Sequence, residues 1–71
     1  MMKEVHIAVM DYASCEIRLF SAYLKAENVA DDIWAVQEET ILEWLEEYDP
    51  EWNDSMCYYM SSEQGPIEIR G

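Results

Sequence analysis

The stretch Lys3-Glu4-Val5-His6-Ile7-Ala8-Val9-Met10-Asp11-Tyr12-Ala13-Ser14-Cys15-Glu16-Ile17-Arg18-Leu19-Phe20 decides how this chain folds. Val5, Ile7 and Val9 project to one side, and Glu4, His6, Ala8 and Met10 to the other. That two-residue period belongs to a half-buried β-strand. Asp11-Tyr12-Ala13-Ser14 reads as a turn, because Asp and Ser side chains bond nearby backbone groups. A second strand is expected over residues 15–23, with Ile17 and Leu19 on one face and Arg18 and Phe20 on the other. Together the two segments predict an antiparallel hairpin.

Further along, residues 25–32 are polar and linker-like. Thr40-Ile41-Leu42-Glu43 has the form of a capping box. Ile41, Leu42, Trp44, Leu45 and Tyr48 then supply an apolar stripe at helical spacing. Pro50 ends the helix, since the residue before a proline avoids the α region. Residues 33–38 admit two readings. Ile33 and Val36 share the stripe of Ile41, which favours one long helix from Asp32; otherwise 33–36 is extended and the helix starts at Thr40. Residues 55–61 read as a strand by their aromatic content. Gln64-Gly65-Pro66 makes a turn, and residues 67–70 alternate as a short edge strand. The fold expected is α+β: a small antiparallel sheet, ββα followed by one or two strands, with one helix on one face.

One short helix covers only one face of a sheet. The open face of an antiparallel sheet is normally polar, but here neither set of strand residues is. If Val5, Ile7, Val9, Ile17 and Leu19 meet the helix, the open face carries His6, Ala8, Met10, Phe20 and Ala22. Either Cys57 with Tyr59, or Met56, Tyr58 and Met60, joins them. An exposed apolar patch of this kind marks a contact surface.

Charge narrows the partner. The chain has 71 residues, with 16 acids against four bases and a net charge of −12. Eleven of the carboxylates fall between Glu27 and Asp54, a window without lysine or arginine. Such a field repels nucleic acid and anionic membrane and attracts basic protein surfaces. Within it Glu39, Glu43 and Glu47 follow one another at i, i+4, each like-charge pair costing about 0.2–0.5 kcal/mol. Glu46, Glu47 and Asp49 crowd the negative end of the helix dipole. A basic partner would offset both. A domain of this length spans on the order of 28 Å, and a duplex that long carries about 16 phosphates. A DNA-mimic-like inhibitor of a nucleic-acid-binding protein is therefore the alternative function.

Other chemistry is poorly supplied. Cys15 and Cys57 are isolated, and with the single His6 they fall short of a zinc ligand set; two reduced thiols are expected. Asp49, Glu51 and Asn53 begin an EF-hand spacing, but Asp54 replaces its glycine and Met60 its last glutamate. Nucleophilic catalysis lacks a base beside Cys or Ser, and there is no glycine-rich phosphate loop. No catalytic residue, metal or cofactor is expected. The longest apolar run near the N-terminus, residues 7–10, is too short for a signal-peptide core or a membrane span, so a cytoplasmic location is expected.

Val9-Met10-Asp11-Tyr12 with Cys15-Glu16-Ile17, then Glu43-Trp44-Leu45, then Cys57-Tyr58-Tyr59-Met60, resemble short acidic proteins of gut anaerobic bacteria that are often carried on mobile elements. That group has no assigned activity, so the resemblance implies an intracellular accessory protein. The strand order is also similar to the first part of a β-grasp fold, in topology only. The sequence thus points to a non-enzymatic interaction module whose partner is a basic protein surface or a second copy in a homodimer, with no nucleic acid or membrane involved. The contact residues expected are Met10, Phe20, Trp52 and Tyr59, with Glu43, Glu46, Glu47 and Asp49 from the acidic segment.

Overall fold

A computed structural model describes residues 1–68 and 70. The hairpin is its backbone. Strand β1 (Met2–Asp11) runs antiparallel to β2 (Glu16–Ala30), with Val5 opposite Ala22 and Val9 opposite Arg18. A third strand, β3 (Ile33–Val36), turns back on the far end of β2 through Asp31 and Asp32, where Asp32 takes a left-handed φ of 61°. Helix α1 (Glu38–Tyr48) follows, and β4 (Cys57–Ser62) returns antiparallel to β1. The sheet order is β3-β2-β1-β4. This is the α+β class expected, one helix on one face of an antiparallel sheet, with an extra strand ahead of the helix.

The sheet is curled. Glu63, just beyond β4, accepts the Val36 N–H of β3 at 3.5 Å and pairs with Lys3 at 3.4 Å. The two outermost strands therefore approach each other at one end, and α1 fills the hollow between them. Val5, Ile7, Val9, Leu24, Ala26 and Val36 line that hollow, with Ile41 and Leu45 of the helix inserted among them. Leu45 and Val5 are wholly buried, as a small core demands.

Four expectations are corrected. Residues 25–32 are not a linker: Leu24 and Ala26 are buried, and β2 runs on to Ala30. Residues 33–36 are extended, so the helix does not begin at Asp32. Pairing with β2 satisfies the backbone of 33–36 and buries Val36, which a lone helical turn there would not do. The capping box is unused, because Thr40 lies inside the helix and Gln37 stands at its N-cap with no side-chain cap. Of the edge strand expected at 67–70, residues 67 and 68 are not strand, and Ile69 lies outside the described residues.

Candidate functional site

The face of β2 decides where every candidate side chain lies. Its register pairs odd-numbered residues of β1 with even-numbered residues of β2, so Arg18, Phe20 and Ala22 face the helix and Ile17 and Leu19 face away. This reverses the expected assignment. A guanidinium on the core side needs acceptors, and the fold brings three. Arg18 Nη1 donates to Asp11 Oδ2 at 2.8 Å and to Glu51 Oε2 at 3.3 Å, while Nη2 and Nε donate to Asp49 Oδ2 at 2.8 and 3.2 Å. Asp11 also accepts the Ala13 and Ser14 N–H groups, which shapes the β1–β2 turn. Asp49 accepts the Glu51 N–H. The Arg18 hydrogen bond, aided by those two amides, holds the Asp11 carboxyl down to about 2 against the opposing effect of burial. The two carboxylates in turn push the Arg18 guanidinium further above its ordinary range. Among the described residues no buried side-chain nitrogen or oxygen lacks a partner. The cluster ties the hairpin tip to the helix C-terminus and the α1–β4 connection.

The other side of the sheet is apolar in two successive rows. Ile17, Met10 and Tyr58 stand side by side across β2, β1 and β4; Leu19, Ala8 and Met60 form the next row. All but Ala8 are exposed, and Tyr12 extends the patch by meeting Tyr58 edge-on with ring centroids 5.6 Å apart. The third row, Ser21, His6 and Ser62, is polar. His6 uses both ring nitrogens there, Nδ1 with Ser21 Oγ and Nε2 with Glu4 Oε1, each at 3.0 Å. Pro66 and Ile67 come over this row and, with His6, Leu19 and Ser21, line a half-open pocket of about 190 Å³. The chain thus roofs part of its outer face and leaves the Met10 and Met60 rows open.

A third feature is an unpaired strand edge. The Ala26 N–H donates to the Met1 carbonyl at 2.7 Å, so even-numbered residues of β2 turn their backbone polar groups toward β1. Ile17, Leu19, Ser21, Tyr23 and Lys25 turn theirs outward. Strand β3 covers that side only beside Ala26–Ala30. Among the described residues, no backbone hydrogen bond meets the outer edge of 17–25.

The expected contact residues divide accordingly. Met10 lies on the open face. Phe20 does not: it packs edge-on against Trp44 at 5.4 Å on the helix side, and Trp44 stacks on Tyr48. Tyr59 is also on the helix side, 6.1 Å from Trp52, while Tyr58 is the outward member of the pair. Burial, with the nearby negative charge of Glu38, pushes the Tyr59 hydroxyl up. Trp52 is half-buried and donates its indole N–H to Asp54 at 2.9 Å. Glu43, Glu46 and Glu47 are exposed along α1. Asp49 is withdrawn, only 3% exposed against Arg18.

Ile17 and Leu19 are not among the expected contacts, and Tyr58 and Met60 enter the expectation only as the alternative to Cys57 with Tyr59. The signal for the first two was present: a four-residue turn sets odd positions of one strand beside even positions of the next. Apolarity outweighed it, because Arg18 looked like an outward residue. Among the described residues no cluster of three or more His, Cys, Asp or Glu is arranged to hold a metal. Cys15 is exposed and Cys57 buried, and both are free thiols. No helix is long and apolar enough to cross a membrane. Comparison with protein-family models, with curated proteins and with solved structures finds no match.

Proposed function

We propose that this protein is a non-enzymatic interaction module that docks a protein through the open face of its sheet. The observation that carries this reading is the double row Ile17–Met10–Tyr58 and Leu19–Ala8–Met60, apolar across three strands and uncovered at its centre. Scattered single apolar residues are normal on a surface, but contiguous rows mark contact sites. Met and Tyr suit the task, since a thioether adapts to its neighbour and a phenol combines apolar area with a polar tip. The acidic side chains of α1 lie on another part of the surface, where they repel nucleic acid and favour a partner without excess negative charge.

The test compares wild type with a Met10→Lys, Met60→Lys double variant. Both positions are exposed, so the fold should survive. Sedimentation across a concentration series and affinity capture from extract of the source cells should show a complex with the wild type that the double variant loses. Identical behaviour of the two proteins, monomeric and capturing nothing, would overturn the proposal.

A further inference from the structure

We infer that the groove between α1 and β4 takes an arginine or lysine side chain from an extended basic segment of a partner protein, seated beside Trp52 and Tyr59 and against the carboxylates of Glu38 and Asp54. The groove is open and about 510 Å³ in volume, and it forms a second site on the helix side of the sheet. Glu38 and Leu42 of the helix, Trp52 and Asp54 of the α1–β4 connection, and Tyr59 and Ser61 of the strand line it. No lysine or arginine does. Among the described residues neither Glu38 nor Asp54 has an ion-pair partner, while Lys3 is held by Glu63 and Arg18 by Asp11, Asp49 and Glu51. Asp54 accepts the Trp52 indole N–H at 2.9 Å, and Glu38 is within hydrogen-bonding reach of the Tyr59 hydroxyl. These neutral donors hold the carboxylates beside the two rings without cancelling their charge. The rings meet edge-on with centroids 6.1 Å apart. Aromatic faces attract a cation, and carboxylates bind an ammonium or guanidinium through charge-assisted hydrogen bonds. Glu27 and Glu39 line an adjoining opening that shares Glu38, so the negative lining continues past the rings. An acidic or neutral side chain would leave these charges unmet.

The wall of the groove calls for an extended segment and not a free amine. At the start of the β1–β4 ladder the Tyr12 N–H donates to the Met56 carbonyl at 2.9 Å. Even-numbered residues of β4 therefore turn their backbone polar groups toward β1, and Cys57, Tyr59 and Ser61 turn theirs to the groove side. The Asn53 carbonyl takes the Cys57 N–H at 2.8 Å. Among the described residues no backbone hydrogen bond meets Tyr59 or Ser61 on that side. A segment laid along this wall adds a strand through those two residues, and every second side chain of it faces the rings. Backbone pairing then supplies affinity, and the acidic, aromatic lining selects the basic side chain. The outer edge of β2 has no such lining; here a helix walls the strand and unmatched carboxylates state the charge of what enters.

The experiment titrates the full chain, at physiological ionic strength, with a short fluorescein-labelled peptide of alternating arginine and threonine. Anisotropy reports affinity, and amide and indole nuclear magnetic resonance signals report the place. The peptide should bind, moving the Trp52 indole signal and the Tyr59 and Ser61 amides, and those two amides should gain protection from exchange. The same peptide with glutamate in place of arginine should not bind. Glu38→Gln with Asp54→Asn, two exposed positions whose shape is kept, should weaken binding about tenfold or more. Glu46→Gln with Glu47→Gln removes the same charge from exposed positions outside the groove lining and should bind nearly as well as wild type. Equal losses in the two double variants would reduce the effect to general attraction and overturn the site. So would failure of the arginine peptide to bind, or equal binding of the glutamate peptide. Shifts confined to Met10, Ile17 and Leu19 would overturn this inference and leave the docking reading standing.

Discussion

Arg18 is the residue on which the interior turns. Its side chain is 16% exposed and serves Asp11, Asp49 and Glu51 together, three acids drawn from the hairpin tip, the helix end and the following connection. Removing a partly buried cation strands the carboxylates it neutralised. Arg18→Met should therefore destabilise by about 3 kcal/mol, the low end for a broken buried pair because some solvent reaches the site. Urea unfolding of the variant measures it. Asp49→Asn should cost less, since Asp11 and Glu51 still engage the guanidinium. Acid acts on the same cluster. The Asp11 carboxyl is held at about 2 in the fold, below the ordinary aspartate value of 3.8. Its contribution is present above the unfolded value and lost as pH falls through the folded one. Unfolding followed by circular dichroism should show stability declining between those two values, and Asp11→Asn should remove that part of the decline.

Helix α1 is short of the usual end stabilisation. Gln37 stands at the N-cap in an extended conformation and makes no side-chain bond to the first turn, and the last turn holds no basic residue. The helix persists because Ile41 and Leu45 are buried against the sheet, not because its ends are satisfied. Gln37→Ser should add about 1 kcal/mol, as a hydroxyl at that position accepts a free backbone N–H; thermal unfolding reports it. The hairpin shows the complementary case. Alternation in β1 was legible residue by residue, and so was the turn at Asp11, whose carboxylate does accept the amides of Ala13 and Ser14. The face of β2 was misread, because Ile17 and Leu19 look like core and Arg18 does not. Residues 33–36 admit both readings, with the helix favoured, because four residues have too short a period to distinguish strand from helix; the structure makes them strand β3.

At the scale of the molecule, one end of the curled sheet is closed by Glu63, and the Arg18 cluster lies at the other. The Cα radius of gyration is 12.8 Å, with principal extents of 41 × 26 × 16 Å. A spherical domain of this length would measure about 11 Å. The excess is the long hairpin, whose outer face supplies the proposed contact. Asp49 and Glu51 are engaged by Arg18, so nine of the eleven carboxylates in the acidic window are left without it. Their mutual repulsion opposes the compact state. Added sodium chloride should raise the thermal midpoint by screening them, and a midpoint that falls would mean the Arg18 pairs dominate instead.

The amino-acid sequence by itself determined the strand period of β1, the apolar stripe of α1, the acidic imbalance and the class of fold. Each of these is written in residues close together in the chain. Tertiary structure decided which side of β2 is interior, against the apolarity of Ile17 and Leu19. Arg18 is tolerable there only when Asp11, Asp49 and Glu51 converge on it, and separations of 7, 31 and 33 residues make that convergence a property of the folded chain. The same decision placed Ile17 and Leu19 in solvent, on the face proposed to dock a partner.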